Sequence, residues 1–334
     1  MKNTFCVLLL LATLPQSGWA GLVAKASPPP EKIPDERKTI AYLVSDIRIP
    51  FWEIMSRGIL QKANQLGYSV RIYSAHNQAK KELQNTIQAI HSGLTGLIVS
   101  PTNSSACATI LEFAQQAGIP AVIADIGTDN GKFISYISSD NYQGAYEIGK
   151  VLAIKMRQLN WLDGSVGIIA IPQARRNGKA RTAGFLKALD EAGIKGSGIR
   201  QQKNFSYQET YDYSLSLIQN THDLRAIWLQ GSDRYQAALD AIRDSGKQGQ
   251  ILLLTFDAEP EFLELIPQKQ LVGAAMQQPF LMGEKAVQAL EDHWEGKPVK
   301  QEIKLSVLAV SAENIDVLMP LIKRNVLGIT HKTP

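Results

Sequence analysis

The sequence predicts an α/β protein built as two doubly wound parallel-sheet lobes, and three observations lead there. From Lys38 onward, short apolar runs alternate with longer amphipathic stretches. The same alternation recurs in the second half of the chain. The 334 residues suffice for roughly two domains at about 100–200 residues each. Repeated strand–helix–strand units imply parallel sheets with helices on both faces.

Residues 39–45 read as a buried strand, and 51–66 as a helix carrying Met55, Ile59, Ala63 and Leu66 on one face. Gly67 ends that helix. A strand over 68–74, a helix over 79–91, a strand over 96–100 and a helix over 103–116 follow, with Gly118 closing the last. Strands at 120–125 and 133–137 complete the first half. In the second half, helix 142–159 precedes strand 165–171, and helix 180–192 precedes strand 198–205. Helix 207–219 leads to strand 224–230, helix 234–244 to strand 251–256, and a short helix to strand 271–276. Open α/β sheets bind ligands at the carboxyl ends of their strands. Ser45, Ser100, Asp125, Gln230, Asp257 and Gln277 each close or follow an apolar run there. Taken singly, each is ordinary for a loop or a cap.

The N-terminus reads as an export signal. Lys2 supplies positive charge, residues 6–14 are apolar apart from Thr13, and small residues at Gly18 and Ala20 place cleavage after Ala20. The apolar run is shorter than the roughly 20 residues of a spanning helix. Cys6 lies at the start of the run, so it is not placed as a lipoprotein cysteine, and the mature chain is expected to be soluble. Residues 21–37 contain Pro28, Pro29, Pro30 and Pro34 among charges and read as a flexible leader.

The formal charge is +4, with dispersed basic residues and no basic stripe, so nucleic acid is not expected as a partner. Beyond Cys6, Cys107 has no second cysteine to pair with and reads as a buried apolar filler. The five histidines show no metal-ligand spacing, and no nucleophile elbow, phosphate loop or His-Glu-x-x-His motif is present. Neither an enzyme nor a cofactor is expected.

An ordered series of motifs sharpens this. It runs from 40–45 with Pro50-Phe51-Trp52, through Ile98-Val99-Ser100-Pro101, Gly118-Ile119-Pro120 with Asp125, and Ser138-Ser139-Asp140-Asn141. It continues with Arg181-Thr182-Ala183-Gly184-Phe185, Thr255-Phe256-Asp257, and Met276-Gln277-Gln278-Pro279 with Gly283. In order and spacing the series resembles the ribose- and galactose-binding type of periplasmic solute-binding protein, over almost all of 38–310. The resemblance implies the type I fold: two lobes joined by a three-segment hinge, with crossovers near Ser139, Gln278 and Ser306. The N-terminal lobe would take 38–139 plus 279–305, and the C-terminal lobe 140–278 plus 306–334. It also implies a monomer in the periplasm that encloses a small solute, a sugar above all, and passes it to an inner-membrane ABC permease. The alternative is a ligand sensor that signals to a membrane kinase.

The resemblance also assigns roles. Phe51 and Trp52 would form one aromatic wall, with Trp52 at the ligand, and Phe205 with Tyr207 the opposite one. Asp125 and Asp257 would accept ligand hydrogen bonds, Arg181 would donate, and Gln277 would sit at the hinge. Ile49, Ile126, Tyr207 and Gly231 depart from the ribose-type pattern, where asparagine, arginine, arginine and asparagine are usual. Two ligand readings follow: a bulkier or less hydroxylated sugar, or an amine held by aromatics and aspartates.

Overall fold

The computed structural model describes residues 38–329; the expected signal and leader lie outside the described residues, as do residues 330–334. The chain begins with β1 (Thr39–Val44), α1 (Pro50–Gln65), β2 (Ser69–Ser74), α2 (Ala79–His91), β3 (Gly96–Ser100) and α3 (Ser104–Gln116). It continues through β4 (Ala121–Ala124), β5 (Ser135–Ser139), α4 (Asn141–Gln158), β6 (Ser165–Ala170), α5 (Arg176–Glu191) and β7 (Lys195–Gln201). Next come α6 (Tyr207–Asn220), β8 (Leu224–Leu229), α7 (Tyr235–Asp244), β9 (Leu252–Phe256), α8 (Phe262–Leu265) and β10 (Gly273–Met276). The last are α9 (Pro279–Trp294), β11 (Glu302–Leu305), β12 (Leu308–Ser311), α10 (Ile315–Leu321) and a π-helical turn, Ile322–Val326.

These strands form two sheets of the same order, β11-β5-β4-β3-β1-β2 and β12-β10-β9-β8-β6-β7. Every described pairing is parallel except that of β12 with β10. The chain therefore passes between the sheets after β5, after β10 and between β11 and β12. Central strands β3, β4 and β6 are buried along their whole length, because helices cover both sheet faces. The edge strands differ. β2 and β7 are largely exposed and carry Arg71, Lys195 and Arg200, charges that discourage edge-to-edge association.

Each half closes its helix layer with a glycine contact. At the crossing of α1 and α9, a Cβ on Gly58 would stand 2.1 Å from the Phe280 carbonyl oxygen, and one on Gly283 would stand 2.3 Å from that of Met55. At the crossing of α4 and α5, a Cβ on Gly184 would meet the Tyr142 carbonyl oxygen at 2.1 Å. Backbone against backbone leaves nothing that can rotate away. These contacts bring the two helix pairs close enough to seal the apolar clusters beneath, in which Met55, Ile59 and Met282 pack on the first sheet and Phe185 stacks on Trp228 at 3.9 Å over the second.

Four differences from the sequence expectations have local causes. α5 starts at Arg176 rather than 180, since the polar run before it is the helix's first turn and not a loop. β7 spans 195–201 and not 198–205, with a register shift opposite Val166 and Gly167, so Phe205 lies in the following loop. β11 and β12 are four-residue edge strands, too short to stand out in the sequence, and β11 alternates charged and apolar residues. Finally, the chain after Ser311, for which no element was expected, forms α10 and the π-helical turn: Ile315, Ile322, Val326 and Leu327 join Ile54, Met276 and Phe280 in one cluster. Arg57 donates to the Leu327 carbonyl at 2.9 Å and Arg324 pairs with Glu284 at 2.8 Å, which fixes this tail against α1 and α9.

Gly283→Ala is expected to lower the unfolding free energy by about 1–3 kcal/mol in a urea titration, the usual scale of overpacking. Gly196→Ala, whose added Cβ would meet nothing closer than 4.0 Å, is expected to change it by less than about 0.5 kcal/mol.

Candidate ligand-binding site

Asp125 and Asp257 occupy matching places, each the residue after the fourth strand of its sheet in chain order, β4 and β9. Both take a left-handed backbone, with φ of 67° and 70°. Aspartate tolerates this region better than bulky or β-branched residues do. The amide of Asp125 donates to the Ile137 carbonyl and that of Asp257 to the Ala275 carbonyl, each at 2.9 Å, so the sheet ladder fixes both turns. The Tyr136 hydroxyl further donates to the Asp125 carbonyl at 2.7 Å. The turn directs Ile126 into the first sheet's core, where it is 1% exposed. Ile126 is thus a packing residue. Ile49 packs on the edge of the same cluster.

Arg181, in the second turn of α5, is 3% exposed. Its Nε donates to Asn141 Oδ1 at 2.8 Å and its Nη1 to the Gln230 carbonyl at 2.6 Å. Nη1 also lies 3.6 Å from Asp257 Oδ2, and the guanidinium covers the Phe256 ring at 3.8 Å. Gln277 Nε2 donates to Asp257 Oδ1 at 2.5 Å. Gln230 itself is fixed by a closed ring: its amide donates to Thr182, Thr182 to Gln173, and Gln173 back to Gln230, at 2.7, 2.8 and 3.2 Å. A buried guanidinium with this many fixed acceptors is held in one orientation.

The acceptors around it are not all satisfied. Asp125 Oδ1, Gln277 Oε1 and Ser139 Oγ are buried without a hydrogen-bond partner. Such atoms are rare in native interiors; the two carbonyl-type oxygens call for donors and the hydroxyl for a donor or an acceptor. Burial pushes the Asp125 carboxyl up to about 6; the charge of Asp257 adds to the rise, while Arg181 and Arg175 oppose it. Asp257 is also raised by burial, against the pull of Arg181 and its bond from Gln277. The strand-end carboxyls of the two sheets therefore share one electrostatic environment with Arg181.

The aromatic residues divide. Phe51 and Trp52 meet edge to face at 4.9 Å, but Trp52 is 5% exposed within the first sheet's core and Phe51 keeps the more open position. Phe205 adopts φ 57° and faces the Arg175 guanidinium at 5.7 Å. Tyr207 does not join this group. Its hydroxyl donates to Asp240 at 2.6 Å, its ring stacks on Tyr211, and it is 45% exposed. With Tyr207 turned to α7 and Trp52 in the core, these residues do not form a four-sided aromatic cage. Sequence reasoning passed over Asn141 and Arg175. Asn141 stood in the Ser138-Ser139-Asp140-Asn141 motif without a role of its own, and Arg175 lay in a stretch read as loop. Among the described residues, no group of three or more histidine, cysteine, aspartate or glutamate side chains is placed to hold a metal ion.

The raised Asp125 pKa has a definite sign. With a folded value of about 6 against an ordinary 3.8, the protonated folded form is favoured. The stabilisation is complete below pH 4 and is lost as pH rises through 6. The difference corresponds to about 3 kcal/mol. Asp125→Asn is therefore expected to stabilise the ligand-free protein by up to that amount at pH 8 and not at pH 4, read from urea titrations at both. An equal effect at the two pH values would contradict this.

Comparison with known proteins places the chain. The family model described as a periplasmic binding protein domain matches residues 40–298. The ribose import binding protein of Bacillus subtilis is 29% identical over 268 residues, covering 79% of this chain and 84% of that protein. That of Escherichia coli is 26% identical over 275 residues, covering 82% and 90%. Among solved structures, a carbohydrate transporter solute-binding protein from Agrobacterium radiobacter in complex with D-arabinose superposes with a TM-score of 0.80 at 20% identity, over 87% of this chain and 99% of that one. A periplasmic solute-binding protein from Actinobacillus succinogenes with bound D-allose gives 0.77 at 21% identity, over 84% and 100%. The described fold, the strand-end site and a family match over most of the chain agree, and the chain belongs to the periplasmic binding protein domain family.

Proposed function

We propose that this protein is an exported, monomeric receptor that encloses a neutral monosaccharide or similar polyol between its two α/β lobes and delivers it to an inner-membrane ABC permease. The observation that carries this reading is the set of buried, unpaired acceptors around Arg181: Asp125 Oδ1, Gln277 Oε1 and Ser139 Oγ. A ligand that supplies hydroxyl donors satisfies them, whereas an anionic ligand would add charge beside two aspartates. The relatives named for ribose import support the same class. Export rests on the signal-like N-terminus with cleavage after Ala20; among the described residues no helix is long and apolar enough to cross a membrane.

In this reading the first lobe takes 38–139 and 279–305, and the second takes 140–278 and the chain from 306. The crossovers near Ser139, Gln278 and Ser306 form the hinge. Gln278 Nε2 donates to the Ser306 carbonyl at 2.8 Å, which ties two of the crossovers together. Asp125, Asp257 and Gln277 accept from ligand hydroxyls, Arg181 holds Asp257 in place and donates, and Phe51 and Phe205 supply apolar faces, with Trp52 backing Phe51. Tyr207 is left out, because its hydroxyl is already committed to Asp240.

Titration calorimetry with D-ribose, D-allose, D-arabinose and myo-inositol tests the proposal. At least one is expected to bind, and Asp257→Ala to weaken that binding roughly tenfold to hundredfold, the scale of a charge-assisted hydrogen bond. Absence of heat with all four, or wild-type affinity in Asp257→Ala, would overturn it. Loss of uptake of the bound sugar in a strain lacking the gene tests delivery.

A further inference from the structure

Arg175 stands at the N-cap of α5 in an extended conformation, and its side chain makes no capping bond. Its guanidinium instead leaves the half of the molecule it belongs to. Nη2 donates to the carbonyl of Thr102, 3.1 Å away, just past the end of β3 in the first sheet. Thr102 is held from behind: its amide and hydroxyl donate to the Glu82 carboxylate at 2.9 and 2.8 Å. Glu82 is 1% exposed, at the first turn of α2. An arginine of the second half and a buried carboxyl of the first, raised to about 7 by burial, are thus joined through one residue.

The same guanidinium faces Phe205, and its charge acts on Asp125, Arg181 and Glu82. The two basic groups that compensate Asp125, Arg181 and Arg175, both belong to the second half, at the second turn and the N-cap of α5. Asp125 belongs to the first half, so this compensation exists only when the halves meet. Arg176 also reaches across, but it is exposed and its contact with the Thr128 carbonyl is 3.5 Å long.

We propose that Arg175 is a positioning residue for ligand capture: it fastens the loop after β3 to the second lobe and sets a guanidinium beside Asp125, so that a bound ligand escapes only after the Arg175–Thr102 bond breaks. This rests on the receptor reading above. It separates from that reading because the Arg175–Thr102 contact joins two protein groups, so a distance between the halves reads it directly. A bond that must break before release acts on the dissociation rate. A charge-assisted bond to a carbonyl corresponds to roughly a ten- to hundredfold change.

The test uses the full chain with spin labels at Lys81→Cys on α2 and Gln208→Cys on α6, both exposed positions. Pulsed electron–electron resonance then reads the distance between the halves in Arg175→Ala, Arg175→Lys and Arg176→Ala. Without sugar, Arg175→Ala is expected to shift the distribution to longer distances, Arg175→Lys to recover it in part, and Arg176→Ala to leave it unchanged. Stopped-flow mixing with D-ribose, D-allose, D-arabinose and myo-inositol adds the rates. For a sugar that binds, Arg175→Ala is expected to raise the dissociation rate roughly ten- to hundredfold and change the association rate by less than about threefold. Wild-type distances in Arg175→Ala, an equal shift in Arg176→Ala, or a loss confined to the association rate would each overturn the proposal. If none of the four sugars binds the wild type, the receptor reading fails while the distance measurement still decides on Arg175.

Discussion

Two carboxylates from separate sheets are costly to take out of water together, and a nearby positive charge offsets part of that cost. Here that charge is Arg181. It is buried, bonded to Asn141 and to the Gln230 carbonyl, stacked on Phe256, and close to Asp257. Its partners come from the start of α4, the end of β8 and the turn after β9, so its position requires those elements to be in register. Even so, burial raises both Asp125 and Asp257 above the ordinary carboxylate range. Burial thus places on both carboxyls a cost that Arg181 offsets only in part.

The repeated architecture explains how such a site is built from two halves. Each sheet ends its fourth strand in an aspartate with positive φ, and each covers its core with helices that touch through glycine. Where the halves differ, the difference is at the edges. β11 runs parallel to β5 while β12 runs antiparallel to β10. The chain then continues through α10 and the π-helical turn back toward α1 and α9, where Asn325 Nδ2 donates to Gln278 Oε1 at 2.8 Å. Pro320 inside α10 removes a backbone donor just before that turn, which accounts for the wider π-helical winding there.

Much of this was legible in the sequence because parallel strands buried on both faces are nearly continuous apolar runs. Strands such as 96–100 and helices such as 79–91 stand as expected. Asp125, Asp257 and Gln277 were visible as polar residues closing such runs. The rest depends on tertiary contact. The Arg-Arg-Asn-Gly-Lys stretch has no apolar period, so neither the true start of α5 nor the reach of Arg175 could be read from it. Ile126 looked like a lost polar contact, and only the left-handed turn at Asp125 shows that it faces the core. Likewise nothing in Phe51-Trp52 says which ring is inside, and nothing near Tyr207 announces Asp240, a residue 33 positions away.

Native mass spectrometry of the protein released intact from a periplasm tests the central claim most directly. The account predicts a fraction carrying an adduct with the mass of one neutral monosaccharide or polyol, lost on unfolding and absent from Asp125→Ala purified in the same way. An anionic adduct, an amine, or an adduct retained by Asp125→Ala would contradict it.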